Sequence, residues 1–237
     1  MQVKPIKTRI FKEQENLARF IREHIPALKD GSVLVVTSKI VALYEGRTAQ
    51  PANEKEHVSL IKSESESATQ TKFVWLTLKD GMMMANAGID ESNANGKLIL
   101  LPKDSFKAAS ALRKTLIKEY GLTKLGIVIT DSRVLPMRAG TLGIALGYAG
   151  FSGLTDYRSK KDLFGRPFVF AKANIADGLA AAAVLAMGEG DECIPLAVIE
   201  GAPVVFRDTV KKDELLIPLE DDIYLPFFSR FRLNKPR

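Results

Sequence analysis

Asp131 is the residue whose surroundings most suggest chemistry. It follows the apolar run LGIVIT at residues 125–130, and Ser132 sets a hydroxyl beside it. Ligand groups collect at the carboxyl ends of strands in open sheets. A carboxylate next to a hydroxyl offers the hard oxygen donors that Mg2+ or Mn2+ takes beside nucleotide phosphates. The same pair also suits a helix cap or a turn. Asp90 stands in AGIDESN, where small residues permit close backbone approach and Asn93 supplies an amide three residues on. An Asx-turn or a helix N-cap fits that pattern as well. Glu189, after Met187-Gly188, adds a third carboxylate or is simply solvated. Ser38-Lys39 follows the run SVLVVT. A lysine there can meet phosphate as a point charge, or face solvent.

Other chemistries find less support. His24 and His57 have no Cys or Asp at ligand spacing, so zinc is not expected. There is no G-x-S-x-G elbow for a serine nucleophile. No G-x-x-x-x-G-K-[ST] phosphate loop occurs, and the glycines at 140, 143, 147, 150 and 153 lack dinucleotide spacing. Cys193 reads as a core residue beside Ile194, and as the single cysteine it allows no internal disulfide.

Elements must carry these residues. Leu17, Phe20, Ile21 and Ile25 recur at helical spacing and predict a helix over residues 12–29, stopped by Asp30-Gly31. Residues 32–37 form a short β-branched run that reads as a buried strand. Residues 50–71 are polar and read as a loop or weak helix, the least ordered-looking part of the chain. Residues 73–78 alternate like a strand. A helix is expected over 106–120, with Ser105 as N-cap and Gly121 as stop. Residues 125–130 form a second buried strand, with Asp131 at its end. An Ala-rich helix spans 175–187 before Gly188, and residues 195–199 and 204–206 look like late strands. The tail from Asp221 is aromatic and basic. No regular βαβ repeat appears, so the class is α+β, with mixed sheets, flanking helices and two lobes of unmarked boundary.

Composition narrows the setting. The 237 residues are 46% hydrophobic and 26% charged, ordinary for a globular protein. No apolar run reaches a membrane span, and the first residues lack a signal-peptide core. These points favour a cytoplasmic protein away from membranes. The net charge of +6 suits anionic partners. Nucleic acid is disfavoured, because aromatic residues do not interleave with the basic ones as a stacking platform requires.

Taken in order, several segments resemble the coenzyme F420-0:γ-glutamyl ligase family. They are GSVLVVTSKIV with EGR after it, ANAGIDESN, LLPKD, the strand ending in TDS, PMRAGTLGIALGYAG, DYRSKKDLFGR and IADGLAAAAVLAMGEGDECIP. The resemblance covers about residues 5–206. It implies one ligase-like unit over 1–237, of that family's fold. It also implies a GTP-dependent ligation of L-glutamate to an anionic acceptor such as F420-0, two divalent ions (Mn2+ or Mg2+), K+ and an intertwined homodimer. On this resemblance Asp90 and Asp131 match metal-binding aspartates. Ser132 stands where a metal-binding Thr is usual, and Glu189 where a Gln is usual. Ser38, Lys39 and Asn93 match nucleotide contacts, and residues 187–194, with Met187, Gly188 and Gly190, match the nucleotide loop.

The expected route is phosphoryl transfer to a carboxylate, followed by attack of an amine on the acyl phosphate. Such chemistry needs positioning and charge rather than a protein nucleophile.

The departures are as informative. The usual S-D-T-F-G-R-P-W-R becomes T-D-S-R-V-L-P-M-R, which keeps Asp131, Pro136 and Arg138. A phosphate-contacting lysine usual near Leu43 is absent, A-D-E-L-A becomes Ala176-Asp177-Gly178-Leu179-Ala180, and the stretch between Gly46 and Gly81 is shorter than usual. The pattern suits a divergent member. A folate or pterin acceptor, or a nucleotide-binding paralogue without ligase activity, are the competing readings.

Overall fold

The computed structural model describes residues 1–228. Its strands, in chain order, are β1 (Gln2–Ile6), β2 (Ser32–Thr37), β3 (Thr48–Ala49), β4 (Ser67–Gln70), β5 (Trp75–Lys79), β6 (Met82–Ala85), β7 (Leu98–Ile99), β8 (Leu125–Val134), β9 (Thr141–Ala149), β10 (Leu154–Asp156), β11 (Lys172–Asn174) and β12 (Leu196–Glu200). Its helices are α1 (Leu17–His24), α2 (Ser38–Tyr44), α3 (Glu54–Ser63), α4 (Ser105–Tyr120), α5 (Ile175–Met187) and α6 (Leu225–Phe228).

Side chains on a strand alternate between its two faces, and β2 uses both. Leu34 and Val36 pack with Phe20 and Ile21 of α1, Ile40 of α2 and Leu116 of α4. Val33 and Val35 pack with Leu179, Ala180 and Ala183 of α5. A strand covered on both faces must be apolar along its length, which is why SVLVVT reads as a continuous run. The central sheet has the order β1-β12-β2-β8-β9. β2 and β8 run parallel, and the other neighbours are antiparallel.

Mixed sheets with flanking helices are thus the architecture, as the α+β expectation has it. The expected division into two lobes does not follow from the contacts. Met84 of β6, Leu101 and Leu146 of β9 share one apolar cluster, which ties the β4-β5-β6 sheet to the central one.

Several boundaries differ from the sequence reading, each for a local reason. The first helix begins at Leu17, because the Asn16 side chain accepts from the Arg19 amide, and it ends at His24, with Ile25 as its C-cap. The polar stretch 50–71 contains α3 and β4. Asn53 accepts from the Glu56 amide at 3.0 Å while Glu56 accepts from the Ala52 amide at 2.8 Å, a reciprocal capping arrangement close to a capping box. Asp104, not Ser105, caps α4, accepting from the Lys107 amide at 3.0 Å. Residues 204–206 form no strand; Phe206 makes one isolated bridge with Phe151. The basic end of the tail, residues 229–237, lies outside the described residues.

The glycine-rich segment after Arg138 becomes β9, which the sequence reading did not anticipate. A Cβ at Gly143 would lie 2.5 Å from the Val184 side chain on α5. One at Gly147 would lie 2.5 Å from the Ser105 carbonyl carbon on α4. The bare strand lets both helices approach. The ladder between β8 and β9 shifts register between Ile129 and Thr130, so that Ile129 faces Gly147 while Thr130 faces Ala145. Leu146 is the extra residue of that bulge. Among the described residues no helix is long and apolar enough to cross a membrane.

Candidate active site

The cleft opens where β2 gives way to α2 and where β8 runs past its bulge. It encloses about 1190 Å3. Ser38, Lys39, Asp90, Asn93, Asp131, Ser132, Met187, Gly188, Glu189 and Gly190 all line it. Leu43, near which a lysine is usual in the resembling family, lines it as well.

Within the cleft these residues form separate groups. Asp90 sits on the loop after β6, its backbone bridged to Ile99 of β7 by a pair of 2.9 Å hydrogen bonds. Its carboxylate accepts from the Ser92 amide at 2.6 Å, an Asx-turn, and meets the Lys39 ammonium at 2.7 Å. Lys39 also donates to the Ser92 carbonyl and hydroxyl at 2.9 and 3.1 Å. Burial pushes the Asp90 carboxyl up, but Lys39 and Ser92 outweigh it and hold the group below the ordinary aspartate range. Turn chemistry and a charged partner therefore coexist at this residue.

Asp131 lies inside β8, not at its end, since the strand continues to Val134. Strand alternation sends Asp131 and Ser132 to opposite faces. Asp131 accepts from the Ser38 hydroxyl at 3.1 Å and is paired with the Arg133 guanidinium. Ser132 instead donates to both oxygens of Glu189, at 2.7 and 2.8 Å, beyond the end of α5. Thr141 of β9 donates to the same carboxylate at 3.1 Å. The adjacent carboxylate and hydroxyl thus serve different neighbours.

A further contact joins two loops of the cleft. Asn93 donates to the Gly190 carbonyl at 3.2 Å, linking the loop after β6 to the loop after α5. Gly188 ends α5 with φ of 84°, a conformation favourable for glycine. Met187 reaches the cleft wall but is buried in the core with Leu179 and Ala183.

Three contributors escaped the sequence reading: Ser92, Thr141 and Arg133. Arg133 carried a usable signal, because a residue two positions after Asp131 on a strand shares its face. The oxygen donors of Asp90, Ser132 and Glu189 have the hardness that a divalent ion prefers. Among the described residues, however, no three His, Cys, Asp or Glu side chains converge as a ready metal-binding group. Both Asp131 oxygens already have protein donors. Both Asp90 oxygens have donors too, Ser92 and Lys39, so the two aspartates differ in the kind of cation that holds them: Lys39 is partly exposed and Arg133 is buried, and Asp131 is the poorer place for an ion.

The model of the family described as F420-0:Gamma-glutamyl ligase matches residues 5–201. A protein of Methanococcus maripaludis named coenzyme F420:L-glutamate ligase is 35% identical over 230 residues, covering 90% of this chain and 91% of its own. Proteins of the same name are 34% identical in Methanocaldococcus jannaschii, over 91% of this chain and 93% of theirs, and 32% identical in Archaeoglobus fulgidus, over 90% and 92%. With several of its matching segments brought together on one cleft, the chain belongs to the F420-0:γ-glutamyl ligase family.

Proposed function

We propose that this chain is a γ-glutamyl ligase that joins the amino group of L-glutamate to a carboxylate of coenzyme F420-0, driven by GTP. The observation that carries the reading is the convergence of distant segments, around Ser38, Asp90, Asp131 and Glu189, on one cleft. Relatives named for that activity, matched over 90% of the chain, support the acceptor.

In the balanced reaction the γ-phosphoryl group passes from GTP to an acceptor carboxylate oxygen, and GDP leaves. The glutamate amine then attacks the acyl carbon, loses a proton and expels inorganic phosphate. Such transfers depend on positioning and charge neutralisation. Mn2+ or Mg2+, when bound, neutralises phosphate charge. Ser132 with Glu189 on one side of the cleft, and Asp90 on the other, are the hard oxygen donors that would meet it, and the carbonyl end of α5 favours a cation beside Glu189. Lys39 has a long, flexible side chain, so its ammonium can pass from Asp90 to a phosphate oxygen. Asn93, bonded to the Gly190 carbonyl, holds the two loops together across the nucleotide site. The arm at residues 157–170 leaves Leu163, Phe164 and Phe170 exposed, an apolar surface suited to a second copy of the chain.

The purified chain, given GTP, Mn2+, L-glutamate and F420-0, should release phosphate and yield a product heavier by one glutamyl residue in mass spectrometry. No phosphate release in any mixture overturns the ligase reading. Product with folate but not with F420-0 overturns the acceptor.

A further inference from the structure

Asp131 and Asp90 are both neutralised by cations of the chain itself, but by different kinds. The Lys39 ammonium at Asp90 is on a mobile stem and partly solvated. The Arg133 side chain is only 7% exposed. Its Nη1 holds Asp131 and the Ser132 carbonyl, the latter at 3.1 Å, and its Nη2 contacts the Met84 sulfur at 3.4 Å. An arginine does not shed its proton in a protein. A second divalent ion at Asp131 would need to displace this fixed charge and leave it buried without a carboxylate. Ser38 takes the other oxygen.

We propose that the Arg133 guanidinium stands in for a cation at Asp131, so that this chain binds one divalent ion per site. The inference rests on the metal-assisted ligase reading and sharpens its stoichiometry. A guanidinium offers several directed N–H donors, suited to oxyanions as well as carboxylates. The Arg133 Nε is buried and has no hydrogen-bond partner among the described residues. That N–H is shut off from any ligand, but the Arg133 side chain lines the cleft, and its charge acts there. With Asp131 held on one side, the group can supply a phosphoryl oxygen with the charge that a second ion would bring.

The experiment counts Mn2+ bound per chain in the presence of GDP, by the loss of the free-ion paramagnetic resonance signal. The full-length chain is expected to take one ion. Arg133→Met, which keeps a long apolar stem without charge, is expected to take two, and Arg133→Lys to stay at one. A wild-type count of two or of none overturns the proposal, as does a cooperatively melting Arg133→Met chain that still takes one. Should Arg133→Met not fold, Arg133→Gln replaces it under the same expectation, and the wild-type count still decides. Loss of ligation with the one-ion count intact refutes the functional reading alone.

Discussion

The two aspartates of the cleft look alike in sequence and are held differently. Asp90 lies on a loop, 42% exposed, and shares its charge with a lysine that also touches Ser92. Asp131 lies on a strand between packed layers, against an arginine only 7% exposed. Exposed ion pairs add little to stability. A buried pair is costly to break, because the surviving charge has no solvent. The Asp90 arm can therefore change partners during a reaction, whereas the Asp131 arm is part of the frame.

The largest effect should come from breaking the buried pair on one side. Asp131→Ala is expected to destabilise the fold by about 3–5 kcal/mol in urea denaturation. Replacing both members, as Asp131→Leu with Arg133→Met, should recover most of that loss. A single-variant loss below about 1 kcal/mol, the range of exposed pairs, would erase the contrast. A smaller effect is expected at the other arm. Lys39→Met should leave stability within about 1 kcal/mol of the parent. It should raise the KM for GTP roughly tenfold or more, one tenfold step being about 1.4 kcal/mol of lost phosphate contact. An unchanged KM would remove Lys39 from the nucleotide site.

The smallest effect is a pH dependence. The folded-state value of the Asp90 carboxyl is depressed, so its contribution is complete above its unfolded value near 3.8. That contribution is lost as pH falls through the lower folded value. Asp90→Asn should therefore flatten the acid limb of the stability curve slightly, and an identical limb would show that Lys39 does not hold the carboxylate.

The parts legible in sequence were those where one signal dominated. β2, α4 and α5 showed through their apolar runs and stops. At α3, polarity left loop and weak helix both open, although Asn53 and Glu56 had the spacing of a reciprocal cap. β9 was hidden by glycines that serve helix packing. The far half of β8 was hidden because Asp131, Ser132 and Arg133 are polar, yet each keeps a partner on β9. At the site, residue types and order were readable. Which face each residue takes, and hence the separation of Asp131 from Ser132, depends on strand phase, which motif order does not encode.

The bulge at Leu146 bears on how chains of this kind can change length. Gly143 and Gly147 are four positions apart, a spacing that in a regular strand puts both on one face. Here one admits α5 and the other α4, because the extra residue advances the phase by one. A relative one residue shorter at this point could run a flat ladder and still seat both helices. One of equal length without the bulge could not. Removing Leu146 would straighten the ladder, but it would also take a buried side chain from the cluster it shares with Met84 and Leu101.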